Sequence, residues 1–258
     1  INYLQQDRPV IGFTHGEITN TIFDEPVFSY AELGMCSSLV DYGCRQSKRI
    51  ASKPLVGPDA VLSRTSVTIR KLYRWNDAIS GPELYNSRIL YIPTMYDGGY
   101  CYGPYRAFGA DEVYEKWQSY LVSAVRGVTI KVHPKSRMPR FDAKIDSRRL
   151  EDAISEYDVL ILDYYSTAAS IAMFTDKPVI YFDIGLRNMT PKFLNLIRKR
   201  CHYRTIDWSS DVYEQISDQL RSFHDRQGEW SNDGLEDYSI MKDGVDGLSP
   251  LAVLAKTH

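Results

Sequence analysis

The sequence predicts an α/β fold built on parallel sheets, and three observations support this class. From residue 88 onward, short apolar runs alternate with segments of helical periodicity. The runs are apolar at every residue rather than at alternate residues, which is typical of strands covered on both faces. The segments between them have the length of crossover helices, so we expect right-handed βαβ units.

The composition argues against several classes of function. The chain has 258 residues, of which 43% are hydrophobic and 25% are charged, enough for one large domain or two modest ones. The net charge of −2 gives no bias toward nucleic acid, and no apolar run approaches the roughly 20 residues of a membrane span. The 4 cysteines form no C-x-x-C pair, which favours reduced cytosolic thiols over disulfides or a zinc site. We therefore expect a cytoplasmic protein without a nucleic-acid partner.

The amino-terminal part of the chain holds three short β-type runs. They cover residues 9–14, 38–42 and 59–62. Residues 63–87 show no clean periodicity and include the turn signal Ser80-Gly-Pro82. We therefore place a domain boundary there, between an amino-terminal lobe of residues 1–87 and a carboxy-terminal lobe of residues 88–258.

In the carboxy-terminal lobe the pattern is sharper. Strands are predicted at 89–92, 128–132, 159–162 and 178–182, and helices at 111–126, 148–157, 166–175, 191–199 and 211–224. Gly127 closes the first of these helices. The glycine-rich segment 95–109 is predicted to be a loop directly after a strand, a usual place for a ligand loop. Residues 135–146 form a basic, proline-containing stretch that we also predict to be a loop.

The first candidate site is the strand end at His133 and Pro134. Proline cannot continue a strand ladder, so the chain must turn there. The imidazole of His133 can donate a hydrogen bond to a phosphate or act as an acid or base. Lys131 lies two residues earlier, on the same side of the strand, and adds a positive charge. A histidine that simply ends a strand remains the alternative.

A second strand end, at Asp163, has a similar character. The strand runs into Asp163-Tyr-Tyr, and Ser166 and Thr167 then open a helix. Serine and threonine are favoured helix caps, which explains them without a ligand. The same geometry also favours phosphate binding, because free N–H groups and partial positive charge gather at a helix amino terminus.

The third candidate lies in the amino-terminal part, where His15-Gly-Glu17 follows a predicted strand. Gly16 allows close approach of the backbone to a ligand. A histidine beside a carboxylate can serve as a general base. A hydrogen-bonded turn is the alternative interpretation.

A family resemblance joins these candidates. It rests on the segments Ile130-Lys-Val-His-Pro134, 157–167 and 176–183. In this order they resemble the carboxy-terminal lobe of CDP-glycerol glycerophosphotransferases: a Lys-x-His-Pro strand end, an Asp-Tyr-Ser-Ser strand end and a Lys-Pro strand. Residues 90–94 resemble that family's Tyr-x-Pro-Thr segment, and His15-Gly16 its amino-terminal His-Gly. This chain has one residue more in Asp163-Tyr-Tyr-Ser-Thr167. The wider group of two-lobed, GT-B-type transferases includes bacterial enzymes that use CMP-activated acidic sugars.

The resemblance implies GT-B-like Rossmann lobes and a metal-independent transferase. Such an enzyme moves a sugar or polyol phosphate from a CDP- or CMP-linked donor to a surface polysaccharide or teichoic-acid-like acceptor. The implied donor-binding residues are Lys131, His133, Pro134, Asp163, Ser166 and Thr167. His15 would deprotonate the acceptor hydroxyl, and Glu17 would hold His15 or contact the acceptor. No cofactor is implied beyond the donor. The acceptor would be a glycan or lipid-linked glycan, reached in the cytoplasm or at the inner face of the membrane.

The length of the first lobe sets an expectation of its own. Two complete Rossmann-like lobes need roughly 300 residues, at about 150 residues per domain. Residues 1–87 fall short of one lobe, and the chain starts at Ile1, close to a strand. We therefore expect an incomplete first lobe, with a missing upstream domain or envelope-synthesis partners.

Two other functions fit the same residues. A sugar-nucleotide epimerase of the UDP-N-acetylglucosamine 2-epimerase type shares the two-lobed architecture but would prefer uridine nucleotides and need no acceptor. A non-catalytic nucleotide-binding module would bind nucleotide weakly or not at all and would not need His15. Comparison of binding to CMP and UDP separates the first of these alternatives from the transferase.

Overall fold

The structure is a computed structural model. It describes residues 10–13, 38–41, 60–63, 84–93, 111–134, 136, 142–186, 188–223, 225, 230, 231 and 235. The chain divides into two compact units. One comprises Ile1–Lys71, Met189–Phe193 and Asp233–His258, and the other comprises Leu72–Asn188 and Leu194–Asn232.

The described part of the first unit contains a three-stranded parallel sheet. Its strands are β1 (Ile11–Phe13), β2 (Ser38–Asp41) and β3 (Ala60–Ser63), in the order β1-β2-β3. β1 pairs with β2 from Ile11 opposite Ser38, and β2 pairs with β3 from Ser38 opposite Ala60. All three strands lie within the runs predicted from the sequence, give or take one residue, and their parallel pairing confirms the predicted class.

The second unit is built on a six-stranded sheet in which every pairing is parallel. Its strands are β4 (Ile89–Ile92), β5 (Thr129–Ile130), β6 (Lys144–Ile145), β7 (Val159–Leu162), β8 (Val179–Asp183) and β9 (His202–Thr205). They are arranged in the order β6-β5-β4-β7-β8-β9. Numbered from β4, this is the 3-2-1-4-5-6 order of the doubly wound Rossmann fold. The α/β prediction is therefore confirmed.

Helices connect these strands. They are α1 (Asp111–Ala124), α2 (Leu150–Ala153), α3 (Thr167–Met173), α4 (Pro191–Arg200) and α5 (Val212–Arg221), with 3₁₀ turns at Leu84–Asn86 and Ile154–Glu156. The sequence explains their ends: Gly127 has a positive φ of 76° between α1 and β5. The Asp211 side chain caps α5 by accepting a hydrogen bond from the Glu214 N–H at 3.0 Å. None of the described helices is both long and apolar enough to cross a bilayer.

The core explains why β4 and β7 were predicted correctly to the residue. All four residues of each strand are buried, as expected for central strands covered on both faces. One sheet face packs against α1, which itself packs against α5. There Trp117 of α1 meets Phe182 of β8 edge-to-face, with ring centroids 5.4 Å apart.

Two strands were not predicted. β9 lies between two predicted helices, and of its four residues only His202 is buried. β9 forms one edge of the sheet. An edge strand is covered less than a central strand, so few of its residues need to be apolar, and β9 has no apolar run. β6 lies within the stretch 135–146 predicted as a loop. Both of its residues are exposed, so no burial pattern marked it. The predicted strand 128–132 is also shorter, as β5 covers only Thr129–Ile130.

Candidate functional site

The strand order of the second unit places a ligand crevice beside β4. The chain builds β5 and β6 on one side of β4 and then returns to β7 on the other side. In open parallel sheets, ligands bind outside the carboxyl ends of the strands at this reversal of strand order. The predicted donor-binding residues follow β5 and β7, the two neighbours of β4. These two strands lie about 10 Å apart, at roughly 4.8 Å per strand spacing.

Lys131, His133 and Pro134 directly follow β5. The backbone N–H of Lys131 donates to the Tyr91 carbonyl at 2.8 Å and so extends the ladder by one residue. The chain then turns, and the Ser136 N–H donates to the His133 carbonyl at 2.8 Å. The turn agrees with the expectation from Pro134, and the side chains of His133 and Pro134 are exposed at the carboxyl edge of the sheet.

Lys131 is a largely buried residue, and none of the described carboxylates contacts its ammonium group. The residue is only 7% exposed, and its Nζ donates to the Val132 carbonyl at 3.2 Å. Among the residues that the structure describes, no carboxylate lies within ion-pair distance of Nζ. Burial lowers the pKa of Lys131, and the more distant charges of Asp146 and Glu151 oppose that shift. The site therefore holds an incompletely neutralised cation.

Asp146, which follows β6, is already engaged by another cation. Arg148 Nη2 donates to its Oδ2 at 2.6 Å, and Arg148 Nε donates to Oδ1 at 3.1 Å. The Tyr157 hydroxyl also donates to Oδ2, at 3.0 Å. Hydrogen bonds from Arg148 are the main reason that the pKa of Asp146 falls to about 2. Arg148 also pairs with Glu156. Asp146 is thus held by Arg148 rather than by Lys131.

The low pKa of Asp146 predicts an acid-sensitive contribution to stability. Its folded-state pKa lies below the ordinary 3.8, so the carboxylate stabilises the fold above about pH 4. That contribution disappears as the pH falls toward 2. We expect Asp146→Asn to lower the free energy of unfolding at pH 7 by about 1–2 kcal/mol, a value reduced for solvent screening around half-exposed Arg148.

Urea unfolding at pH 7, 4 and 2.5 measures this effect. The difference between the wild type and Asp146→Asn should shrink as the pH falls. Asp142→Asn, which changes an exposed carboxylate, is the matched control and should follow the wild type at each pH. A constant difference between the wild type and Asp146→Asn across this range would contradict the assignment.

Asp163 at the end of β7 points into the core on the α1 face. It continues the alternation of Val159 and Ile161, which belong to the core cluster on that face. Its Oδ2 accepts hydrogen bonds from the Tyr91 hydroxyl, from the Tyr114 hydroxyl at 2.9 Å and from Trp117 Nε1 at 3.0 Å. These observed contacts are structural, and the role of Asp163 in donor binding stays a prediction.

The sequence did not reveal the three donors to Asp163, for a physical reason. They lie 46 to 72 residues away along the chain, so only the tertiary fold brings them together. The period-2 alternation along β7 was nevertheless a usable signal, because it assigns Asp163 to the same face as Val159 and Ile161. A buried carboxylate on that face requires donors from the helix that covers it.

Ser166 and Thr167 mark the start of α3. Ser166 occupies the N-cap position with extended backbone, but its side chain makes no capping hydrogen bond. Its hydroxyl and that of exposed Thr167 lie at the carboxyl edge of the sheet. Behind them, the Tyr165 hydroxyl and Ser170 Oγ form a buried hydrogen bond at 2.8 Å, which secures the turn between β7 and α3.

The structure thus brings four predicted residues to one edge of one sheet: Lys131 and His133 after β5, and Ser166 and Thr167 after β7. The predicted catalytic residues His15 and Glu17 lie outside the described residues. Within the described ranges, no group of three or more His, Cys, Asp and Glu side chains is arranged to hold a metal ion.

Comparison with known proteins leaves the family open. No protein-family model matches the chain, and no curated protein sequence matches it. Solved structures with a similar backbone include the spinosyn forosaminyltransferase SpnP, at a TM-score of 0.38 and 12% sequence identity. The similarity covers 79% of this chain and 48% of SpnP, so the chain corresponds to about half of that structure. A likeness at this level establishes neither family nor activity.

Proposed function

We propose that the second unit binds a nucleotide-activated donor and that the protein is a transferase of the two-lobed, GT-B type. The observation that carries this proposal is the partly desolvated ammonium group of Lys131 at the reversal of strand order. A cation that gives up hydration without a carboxylate in contact costs stability, and an anionic ligand would supply the missing charge. The pyrophosphate of an activated donor is such a ligand.

The neighbouring side chains suit the same ligand. Ser166 and Thr167 would donate their hydroxyls to the donor phosphates, since the Ser166 hydroxyl does not cap α3 and Thr167 is exposed. His133 would donate from the opposite side of β4, where its exposed imidazole follows β5. Hydrogen bonds from charged donors to phosphate oxygens are roughly twice as strong as neutral ones, so Lys131 should contribute the most.

The proposed reaction is group transfer from the donor to an acceptor hydroxyl. The bond between the donor's transferred group and its nucleotide phosphate breaks, while a bond to the acceptor oxygen forms. Negative charge develops on the departing nucleotide phosphate, and Lys131 and His133 would stabilise it in place. We assign removal of the acceptor proton to His15, with Glu17 orienting it. Lys131 and His133, rather than a metal ion, would supply the positive charge.

The finer identity of the substrates follows from the motif resemblance. We propose a CDP- or CMP-linked donor that carries a sugar or a polyol phosphate. The acceptor would be a surface polysaccharide or teichoic-acid-like polymer, as a free or lipid-linked glycan at the inner face of the membrane. Glycosyl transfer and glycerophosphate transfer are both compatible with an anion site of this kind.

Replacing Lys131 with methionine tests the proposal, because it should weaken nucleotide binding without lowering the thermal stability of the ligand-free protein. The variant keeps the length of the side chain but removes the buried charge. We expect affinity for CDP, measured by calorimetry, to fall about 10- to 100-fold, the worth of one charged hydrogen bond. Without ligand, the variant should be at least as thermally stable as the wild type, because an incompletely neutralised buried cation has been removed.

Lys144→Met is the matched control, because Lys144 is an exposed lysine on neighbouring β6. It should bind CDP like the wild type. A thermal-shift screen of the wild type with CMP, CDP, UDP and GDP identifies the nucleotide, since a ligand that binds only the folded state raises its melting temperature. Stabilisation by none of the four, or unchanged CDP affinity in Lys131→Met, would overturn the proposal.

A further inference from the structure

Trp208 lies at the same carboxyl edge of the sheet as the proposed phosphate site. The Ile206 N–H donates to the Asp183 carbonyl at 2.9 Å and so extends the pairing of β8 and β9 by one residue. Trp208 follows two residues later and is 39% exposed. A large aromatic side chain is thus presented just beyond the carboxyl end of β9.

The indole of Trp208 is held in a fixed orientation. Its Nε1–H donates to the Ile184 carbonyl at 3.2 Å, just after β8. Its ring meets that of Trp117 edge-to-face, with centroids 6.3 Å apart and an interplanar angle of 65°. Trp117 in turn donates to Asp163 at the end of β7. These contacts form a chain that leads from Trp208 to the strand end that carries Ser166.

The segment that carries Trp208 is also fixed. Asp207 Oδ1 accepts hydrogen bonds from the Ser209 N–H at 2.9 Å and from Ser209 Oγ at 2.7 Å. Asp207 Oδ2 accepts one from Ser210 Oγ at 2.8 Å. Gln215 of α5 also bonds the backbone of Asp207, donating to its carbonyl at 2.8 Å. The exposed ring therefore loses little conformational entropy when a ligand binds to it.

Exposure alone does not distinguish Trp208 from other surface aromatics, since single exposed apolar side chains are common. Tyr213 on α5 is exposed to a similar extent, at 44%, yet its side chain takes part in none of the described hydrogen bonds. Trp208 differs in two ways. Its indole N–H already donates to the Ile184 carbonyl, and its ring is held by Trp117 at the carboxyl edge of the sheet. What such a ring offers to a ligand is π surface.

We propose that Trp208 stacks on the nucleobase of the bound donor, an inference that rests on the proposed function. β7 and β9 lie about 10 Å apart, at roughly 4.8 Å per strand spacing. A nucleotide with its phosphate at Ser166 and its sugar crossing the end of β8 brings its base to Trp208. Stacking accepts any planar base, because every base has a π face. Trp208 therefore supplies affinity for nucleotides but does not discriminate cytosine from uracil.

The test compares ligands with and without a base. We expect Trp208→Ala to weaken CMP binding about 5- to 150-fold, the equivalent of the 1–3 kcal/mol measured for base–aromatic stacking. Trp208→Phe keeps an aromatic ring and should retain most of the CMP affinity. Inorganic pyrophosphate has no base, so its affinity should not change in either variant. Tyr213→Ala is the control for loss of an exposed aromatic and should bind both ligands like the wild type.

The outcomes separate this inference from the proposed function. If the wild type binds pyrophosphate and CMP but Trp208→Ala binds CMP equally well, the stacking role is wrong and the proposed function stands. If the wild type binds neither ligand, both fail. Equal losses for CMP and pyrophosphate would show a general disturbance of the site and overturn the stacking role. Unchanged CMP affinity in Trp208→Ala, together with a raised KM for the glycan acceptor, would also overturn the stacking role. Trp208 would then contact a sugar ring of the acceptor instead.

Discussion

Replacing Asp163 with alanine is expected to lower the free energy of unfolding by about 3–9 kcal/mol. The substitution leaves three buried donors without their acceptor: the Tyr91 hydroxyl, the Tyr114 hydroxyl and Trp117 Nε1. Each buried donor left unsatisfied costs about 1–3 kcal/mol. A domain with a total stability of about 5–15 kcal/mol can be largely unfolded by such a loss at 37 °C.

The two phenols remain donors to Asp163 at any ordinary pH. Burial, together with the negative charge of Asp163, raises the pKa values of Tyr91 and Tyr114 well above the usual 10. Both groups therefore stay protonated, and their bonds to the carboxylate persist when the solution becomes alkaline. The network should stabilise the end of β7, and with it the turn that presents Ser166, at neutral and alkaline pH.

Urea unfolding monitored by circular dichroism measures the effect of Asp163→Ala. Asp142→Ala removes an exposed carboxylate and should change stability by less than about 0.5 kcal/mol. If Asp163→Ala does not fold, Tyr114→Phe removes a single donor instead and should cost about 1 kcal/mol. An unfolding free energy within 1 kcal/mol of the wild type for Asp163→Ala would show that the network contributes little.

The sequence predicted the centre of the sheet better than its edges. β4 and β7 are continuous apolar runs of four residues that end at Pro93 and Asp163, and burial on both faces explains this pattern. β9 is an edge strand in which only His202 is buried, so neither an apolar run nor strict alternation marks it. β6 has two exposed residues and is defined only by its hydrogen bonds to β5.

In the candidate site, too, some features could be predicted from the sequence and others could not. Strand ends are visible in sequence, so the placement of Lys131 and Ser166 at one sheet edge could be predicted from local pattern alone. The partners of each side chain could not, because they come from distant segments. Asp146 bonds Arg148 while Lys131 has no carboxylate in contact among the described residues, and no sequence pattern gives that preference.

Arg200, the last residue of α4, is a fully buried cation that holds the turn after α3. Its Nε donates to the Met173 carbonyl at 2.8 Å. Its Nη2 donates to the carbonyls of Thr175 at 3.0 Å and of Lys177 at 2.7 Å. In the described part of the chain, Nη1 has no hydrogen-bond partner. The guanidinium thus satisfies the carbonyl of the last residue of α3 and two carbonyls in the turn that leads into β8.

Two opposing effects decide what Arg200→Met does. Burial lowers the pKa of Arg200 to about 10, so the group is still charged at pH 7, at a cost of roughly 3 kcal/mol that methionine would relieve. Against this, two buried carbonyls and one half-buried carbonyl lose a charged donor, at about 1.5–3 kcal/mol each. The second effect is larger, so we expect a net loss of about 2–6 kcal/mol in the free energy of unfolding.

The comparison of Arg200→Met with Lys199→Met isolates the buried hydrogen bonds. Lys199 is exposed in the same last turn of α4, so its replacement removes a charge near the helix carboxyl terminus without disturbing a buried carbonyl. That change should cost at most about 1 kcal/mol. Urea unfolding at pH 7 measures both variants. If Arg200→Met is as stable as the wild type, the cost of burying the charge equals the worth of its three bonds, and Arg200 is then not what holds the turn between α3 and β8.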